Sequence, residues 1–125
     1  MEPRIQYAKT SDGVKIAYYS IGSGPALVWT QLVYSNLQIE WQRDAGFRSR
    51  AEAVAQRIKF VRYDHRGFGL SDRNITDYSL AGFAADLEAV VDRLGLRRFW
   101  LIAQGGAACP VAINFSVLHP ERSLV

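Results

Sequence analysis

Cysteine and histidine are scarce in this sequence and long apolar runs are missing, and each shortage removes a class of function. Cys109 is the only cysteine in 125 residues, which excludes an intramolecular disulfide framework and a cysteine-rich zinc site. A reducing compartment follows as the default. No run approaches the roughly 20 apolar residues of a membrane span, and Met1-Glu2-Pro3-Arg4-Ile5 does not open a signal peptide. A soluble, cytoplasmic chain with no membrane partner is therefore expected. Charge is not gathered into a block either. The net charge of +3 comes from arginines, Arg62 and Arg66 among them, interspersed with Asp and Glu. A nucleic-acid binder would show a clustered basic stripe, so solvated helix faces and no nucleic-acid partner are expected.

What is present is enough for a core. Apolar residues make up 49% of the sequence, and a chain of this length has room for one domain, residues 1–125, with no linker or repeat dividing it. Two strands, Ile5 to Lys9 and Val14 to Ser20, flank Ser11-Asp12-Gly13, a turn of the Asp-Gly kind that joins antiparallel strands. Gly22-Ser23-Gly24 reads as a further turn, and Ala26 to Thr30 as a strand covered on both faces. The spacing of Ala45, Phe47, Ala51, Val54 and Ala55 predicts an amphipathic helix from Gln42 to Arg57. Phe60 to Tyr63 is a second inner strand, running into the glycine-containing loop Asp64-His65-Arg66-Gly67-Phe68-Gly69-Leu70-Ser71-Asp72. Ser79 caps a helix carrying Leu80, Phe83, Leu87, Val90 and Leu94, which Gly95 ends in the left-handed conformation. A strand from Phe99 to Ala103, a helix from about Ala107 to Leu118, and the start of another strand at Ser123-Leu124-Val125 complete the chain. Strands feeding loops and helices in this alternation indicate an α/β architecture.

Three segments together carry a likeness: Ile16-Ala17-Tyr18-Tyr19, the loop from Asp64 to Asp72, and the helix from Pro110 into His119-Pro120-Glu121-Arg122. In this order they resemble the amino-terminal half of the α/β-hydrolase family. Within the family, Thr30 to Trp41 and Pro110-Val111-Ala112-Ile113 look similar to hydrolase-like segments that accompany bacterial adenylate cyclases. The resemblance implies an amino-terminal hairpin plus a partial parallel sheet in the order 1-2-4-3-5, flanked by helices.

It also implies a catalytic turn, and there the sequence departs from the family. The elbow of these enzymes reads G-x-S-x-G, a serine on a strained strand-to-helix turn, followed by a backbone N–H that stabilises an oxyanion. Counting back from His119-Pro120-Glu121-Arg122, the serine position falls on Gly106, with Gln104 and Ala108 in place of the flanking glycines. Glycine has no side chain with which to form an acyl intermediate. The oxyanion loop corresponds to Gln31, Leu32 and Val33, with leucine where the family has glycine. The acid and the histidine of the family's triad come after later strands. His65 and His119 do not replace them, and surface or capping roles are expected for both. Cys109 is expected to be a buried, inert thiol, Asp64 to hold the loop turn by hydrogen bonds, and Tyr34 and Trp41 to pack against the core.

The expectation is thus a truncated α/β-hydrolase homologue without hydrolase activity, with no catalytic residue, no cofactor and no metal. Two alternatives stand beside it. One is a binding module that uses the residual pocket or an exposed sheet edge, through self-association or a second chain that completes the sheet. The other is an esterase-type subunit completed by another chain.

Overall fold

The structure is a computed structural model, and it describes residues 2–31, 35–106 and 108–124. Six strands and four helices are present among them: β1 (Gln6–Lys9), β2 (Lys15–Ile21), β3 (Ala26–Gln31), α1 (Leu37–Arg43), α2 (Ala45–Ala55), β4 (Lys59–Tyr63), α3 (Leu80–Arg93), β5 (Phe99–Gln104), α4 (Ala108–Leu118) and β6 (Ser123–Leu124). They form one sheet in the order β1-β2-β4-β3-β5-β6. β1 and β2 are antiparallel, as are β2 and β4, whereas β4, β3, β5 and β6 run parallel. The order expected for the first five strands is the one observed, and β6 adds itself beside β5 where the sequence begins another strand at Ser123.

Alternating side chains divide the core in two. Val28, Leu101, Phe99, Leu87, Val90, Val111 and Phe115 fill the side covered by α3 and α4. Ala17, Tyr19, Phe60, Leu37, Trp41 and Phe47 fill the other, beneath α1 and α2. β4 lies between these layers with Phe60, Val61, Arg62 and Tyr63 all fully buried. α3 forms where its apolar spacing places it, with the Ser79 hydroxyl accepting from the Gly82 N–H at 3.1 Å and Gly95 at φ 68° beyond its end.

The helix expected from Gln42 to Arg57 is instead two. Asp44 lies between α1 and α2, and its carboxylate accepts from the Phe47 N–H at 2.8 Å, capping a new helix rather than continuing the old one. Asn36 caps α1 in the same way, through the Ile39 N–H. Charge placement differs from expectation as well. Arg62 and Arg66, expected on solvated faces, have fully buried side chains paired with carboxylates. Of the described residues, none belongs to a helix long and apolar enough to cross a membrane.

Candidate functional site

The loop after β4 is built by the residues that surround it. Asp64 enters it directly from the strand, and its Oδ2 accepts from the Leu70 N–H at 2.9 Å and from the Leu37 N–H at 3.3 Å. One carboxylate therefore closes the turn, as expected for it, and also fixes the start of α1. Gly69 must be glycine here, because at φ 55° a Cβ would run into the Asp64 carboxylate. Ser71 accepts from the Ala17 N–H at 2.8 Å and donates to the Asp64 carbonyl at 2.6 Å. Asp72 then extends the contact with β2, accepting from the Lys15 N–H at 2.9 Å. Burial pushes the Asp64 carboxyl up to about 6, against the pull of the Leu70 and Leu37 amides.

Arg66 is the hub of this loop. Its Nε donates to Asp86 Oδ1 at 2.8 Å, its own backbone N–H donates to Asp86 Oδ2 at 2.9 Å, and Nη1 and Nη2 donate to Asp12 at 2.8 and 3.1 Å. The hairpin turn, the loop and α3 are thus joined by one guanidinium. The Arg66 hydrogen bond holds the Asp12 carboxyl well below the usual range. Sequence reasoning missed this cluster. Its available signal was Asp86, a charge placed beside Leu87 and Phe83 on a helix face that is otherwise apolar.

His65 corrects an expectation. Instead of a surface or capping role it is fully buried, its ring centroid 4.9 Å from that of Tyr63 and 5.8 Å from that of Phe83. Its Nε2 lies 3.3 Å from the Thr30 hydroxyl, which in turn lies 2.9 Å from the Tyr63 hydroxyl. Desolvation pulls the imidazole down to about 4. The neutral ring is favoured by folding, so His65 contributes stability fully present above pH 6.5 and lost as pH falls through about 4. Relative to His65→Gln, the native chain should lose about 3 kcal/mol between those limits. Urea midpoints of the two proteins at neutral and mildly acidic pH measure this; a constant difference would mean that the folded ring takes up a proton freely.

The turn that corresponds to the family's nucleophile elbow follows β5, at the same carboxyl-terminal edge of the sheet as the loop after β4. The strand ends at Gln104, Gly105 and Gly106 follow, and α4 begins at Ala108. The Gly105 carbonyl accepts from the Cys109 N–H at 3.3 Å. The left-handed angle falls on Gly105, at φ 81°, one residue before the position reached by counting back from the helix. Sequence count and backbone angle thus mark neighbouring residues, and both are glycine. Among the described residues, a Cβ on either would meet nothing within 4 Å. The turn has space for a side chain and carries none.

Gln31 ends β3 in register with Gln104 of β5, and both line a cleft of about 790 Å³ with Trp29, Phe47, Arg43 and Arg50. The two other positions of the oxyanion loop, Leu32 and Val33, lie outside the described residues, as does Tyr34. Trp41 packs in the core, edge-on to Tyr19 at 6.1 Å. Cys109 is half-buried, not fully buried, with Sγ 3.8 Å from the Ala103 carbonyl oxygen. His119 is remote from the turn, its ring tilted against Phe115 at 4.7 Å between centroids and its Nε2 3.8 Å from Glu88. Among the described residues no group of His, Cys, Asp and Glu is arranged to hold a metal ion.

The sequence model of the family described as "alpha/beta hydrolase fold" matches residues 35–107, more than half of the chain. A similar protein is "Putative carbamate hydrolase RutD" of Caulobacter sp. (strain K31), 37% identical over 75 residues, which are 57% of this chain and 26% of that protein. Among solved structures, "Est816 as an N-Acyl homoserine lactone degrading enzyme" superposes with a TM-score of 0.75 at 30% identity, covering 94% of this chain and 42% of the other. An epoxide hydrolase of Vigna radiata superposes with a TM-score of 0.80 at 22% identity, covering 98% and 36%. The chain spans about a quarter of the curated relative's length and about two-fifths of the solved structures.

Proposed function

Because the chain belongs to the α/β-hydrolase fold family and has a glycine at each candidate nucleophile position, we propose that these residues form a scaffold that does not catalyse hydrolysis. The observation that carries this reading is the turn itself. Whichever of Gly105 and Gly106 occupies the nucleophile position, no hydroxyl or thiol projects from it, so the covalent step of acyl transfer has no attacking atom. Gln31, Leu32 and Val33 in the oxyanion loop support the same reading, since leucine does not readily adopt the backbone angles that glycine allows. A further polypeptide bearing an acid and a histidine would still meet a glycine at this turn. On this reading the chain shares with the relatives named for hydrolysis their fold and not their reaction.

The test is direct. The purified chain should neither hydrolyse p-nitrophenyl esters above background nor be labelled by a fluorophosphonate, and Gly105→Ser or Gly106→Ser should not create turnover. Turnover or labelling of the native chain, abolished by replacing one serine, would sink the proposal.

A second reading, a binding module, is favoured by a specific observation: large apolar side chains of β5 and β6 are left open, with Trp100, Ile102 and Leu124 each about half exposed. The narrower likeness of Thr30 to Trp41 and Pro110 to Ile113 to segments accompanying bacterial adenylate cyclases fits such a module. In that setting the scaffold would act through contact with another polypeptide.

A further inference from the structure

A buried carboxylate stands just past β4 with no cation of its own. Asp64 is 1% exposed, and one of its oxygens, Oδ2, receives both amides, from Leu70 at 2.9 Å and from Leu37 at 3.3 Å. The other, Oδ1, is buried and has no hydrogen-bond partner among the described residues. The charged groups of the elements around it are committed elsewhere. From β4, Arg62 is paired with Glu40 of α1, at 2.8 and 3.1 Å, and donates to the carbonyls of Trp29 and Gln31. In the loop itself, Arg66 is bound to Asp86 and Asp12, Arg73 donates to the Gly69 carbonyl at 2.7 Å, and Asp72 receives the Lys15 amide. His65 turns its Nε2 to Thr30, and Tyr19 of β2 brings a buried hydroxyl that is likewise without a partner among the described residues.

This arrangement suits a carboxylic acid better than a carboxylate. When ionised, the group carries a charge that two amides satisfy only in part, and the bare Oδ1 has lost its water without a replacement. With a proton the charge is gone, and Oδ2 still accepts from both amides. Burial accordingly raises the Asp64 carboxyl from its ordinary 3.8 to about 6. Its contribution to the folded arrangement is therefore fully present below 3.8 and lost as pH rises through about 6, the reverse of a salt-bridged aspartate.

α1 is the element placed to yield. It is seven residues long, too short to persist without tertiary contacts. Its second turn is held independently, by Glu40 on Arg62 and by Trp41 in the core. Its first turn rests on the Asn36 cap, on the packing of Leu37, and on the Leu37 amide bond, the longer of the two to Asp64. Opening at that turn brings water to Oδ1 while the sheet stays intact. Ile39 and Glu40 line the cleft beside Gln31 and Gln104, so the state of the turn shapes that cleft. We propose that Asp64 is a proton-operated latch on the first turn of α1: protonated, it keeps the Leu37 and Leu70 amides sealed; ionised, its bare oxygen draws in water and the turn releases. The latch does not depend on whether the chain hydrolyses esters.

Hydrogen exchange of single amides in the full chain, corrected for the intrinsic pH dependence of exchange, reads the latch. Between about pH 5 and about pH 7.5 the protection of the Leu37 and Leu70 amides should fall about tenfold, the ratio for a carboxyl that titrates at about 6 when closed and at 3.8 when open. The Lys59 amide, which donates to the Pro25 carbonyl at 2.9 Å at the far end of β4, should not follow. In Asp64→Asn the response of Leu37 should vanish. Protection at Leu37 that stays constant or rises with pH would overturn the proposal. So would an equal fall at Lys59, which would mean unfolding of the whole chain, or a response that persists in Asp64→Asn, which would place the titrating group at Glu40 or His65. The comparison of Leu37 with Lys59 in the native chain decides by itself if Asp64→Asn does not fold.

Discussion

Replacing Arg66 with methionine should unfold the chain or leave it marginal, with a loss of about 3–5 kcal/mol in urea denaturation. The size follows from what would remain. Asp86 is fully buried and receives two of its hydrogen bonds from Arg66, one from the side chain and one from the backbone. Methionine fills much of the volume but leaves the carboxylate without its cation, and a lone charge in that setting is far costlier than the intact pair is favourable. Asp12 loses a partner in the same substitution but is 43% exposed, so water can take it up. The informative comparison is therefore Arg66→Met with Asp86→Leu in one chain. If the buried charge is the cause, the second change recovers a large part of the loss. If the double variant is no better than the single one, the guanidinium's other bonds, to Asp12 and to the Asp77 carbonyl, hold the loop instead. Arg62→Met is a useful reference, because Glu40 is 15% exposed and should suffer less.

The same cluster shows what was legible in the sequence and what was not. α3 could be read because its apolar positions, its serine cap and its terminal glycine all give one answer, and local signals that agree need no tertiary information. The hairpin and the strand order followed from turn chemistry and from the family likeness. The division of one expected helix at Asp44 did not, since an aspartate within an apolar pattern serves equally as a surface residue or as a cap, and only the path of the chain decides. His65 and Arg66 were misread for a related reason. A loop rich in charge and glycine suggests solvent, but here it folds back over β2, and Asp86 reaches it from a helix twenty residues away in sequence. Burial of a polar side chain depends on such a distant partner. At the turn after β5 the absence of a serine is visible in the sequence itself. Which of two adjacent glycines takes the left-handed angle is not, because either can adopt it without steric cost.

Gly22→Ala should be among the most damaging single substitutions, near 4 kcal/mol, whereas Gly105→Ala should cost only about 1–2 kcal/mol. The two glycines have the same backbone angle, φ 81°, so the strain of placing an L-residue there is common to both. Their surroundings differ. A Cβ on Gly22 collides with the carbonyl oxygens of Ile58 and Ala55, and these are backbone atoms at the junction between α2 and β4 that cannot swing aside. A Cβ on Gly105 meets nothing within 4 Å among the described residues. The difference between the two losses, read from urea midpoints, therefore measures contact alone. If both variants lost the same amount, strain would be the whole effect and the empty volume at the turn would have no consequence. The expected inequality bears on catalysis as well as stability. A turn that tolerates a side chain at Gly105 for little more than the cost of its angle is not closed to a nucleophile by packing. On the proposed reading its silence has two sources, the residue type at that position and the surroundings a serine would need: a base to take its proton and amides to receive the oxyanion. Gly105→Ser should accordingly fold nearly as well as Gly105→Ala and still hydrolyse nothing, a combination that separates loss of the scaffold from loss of the chemistry.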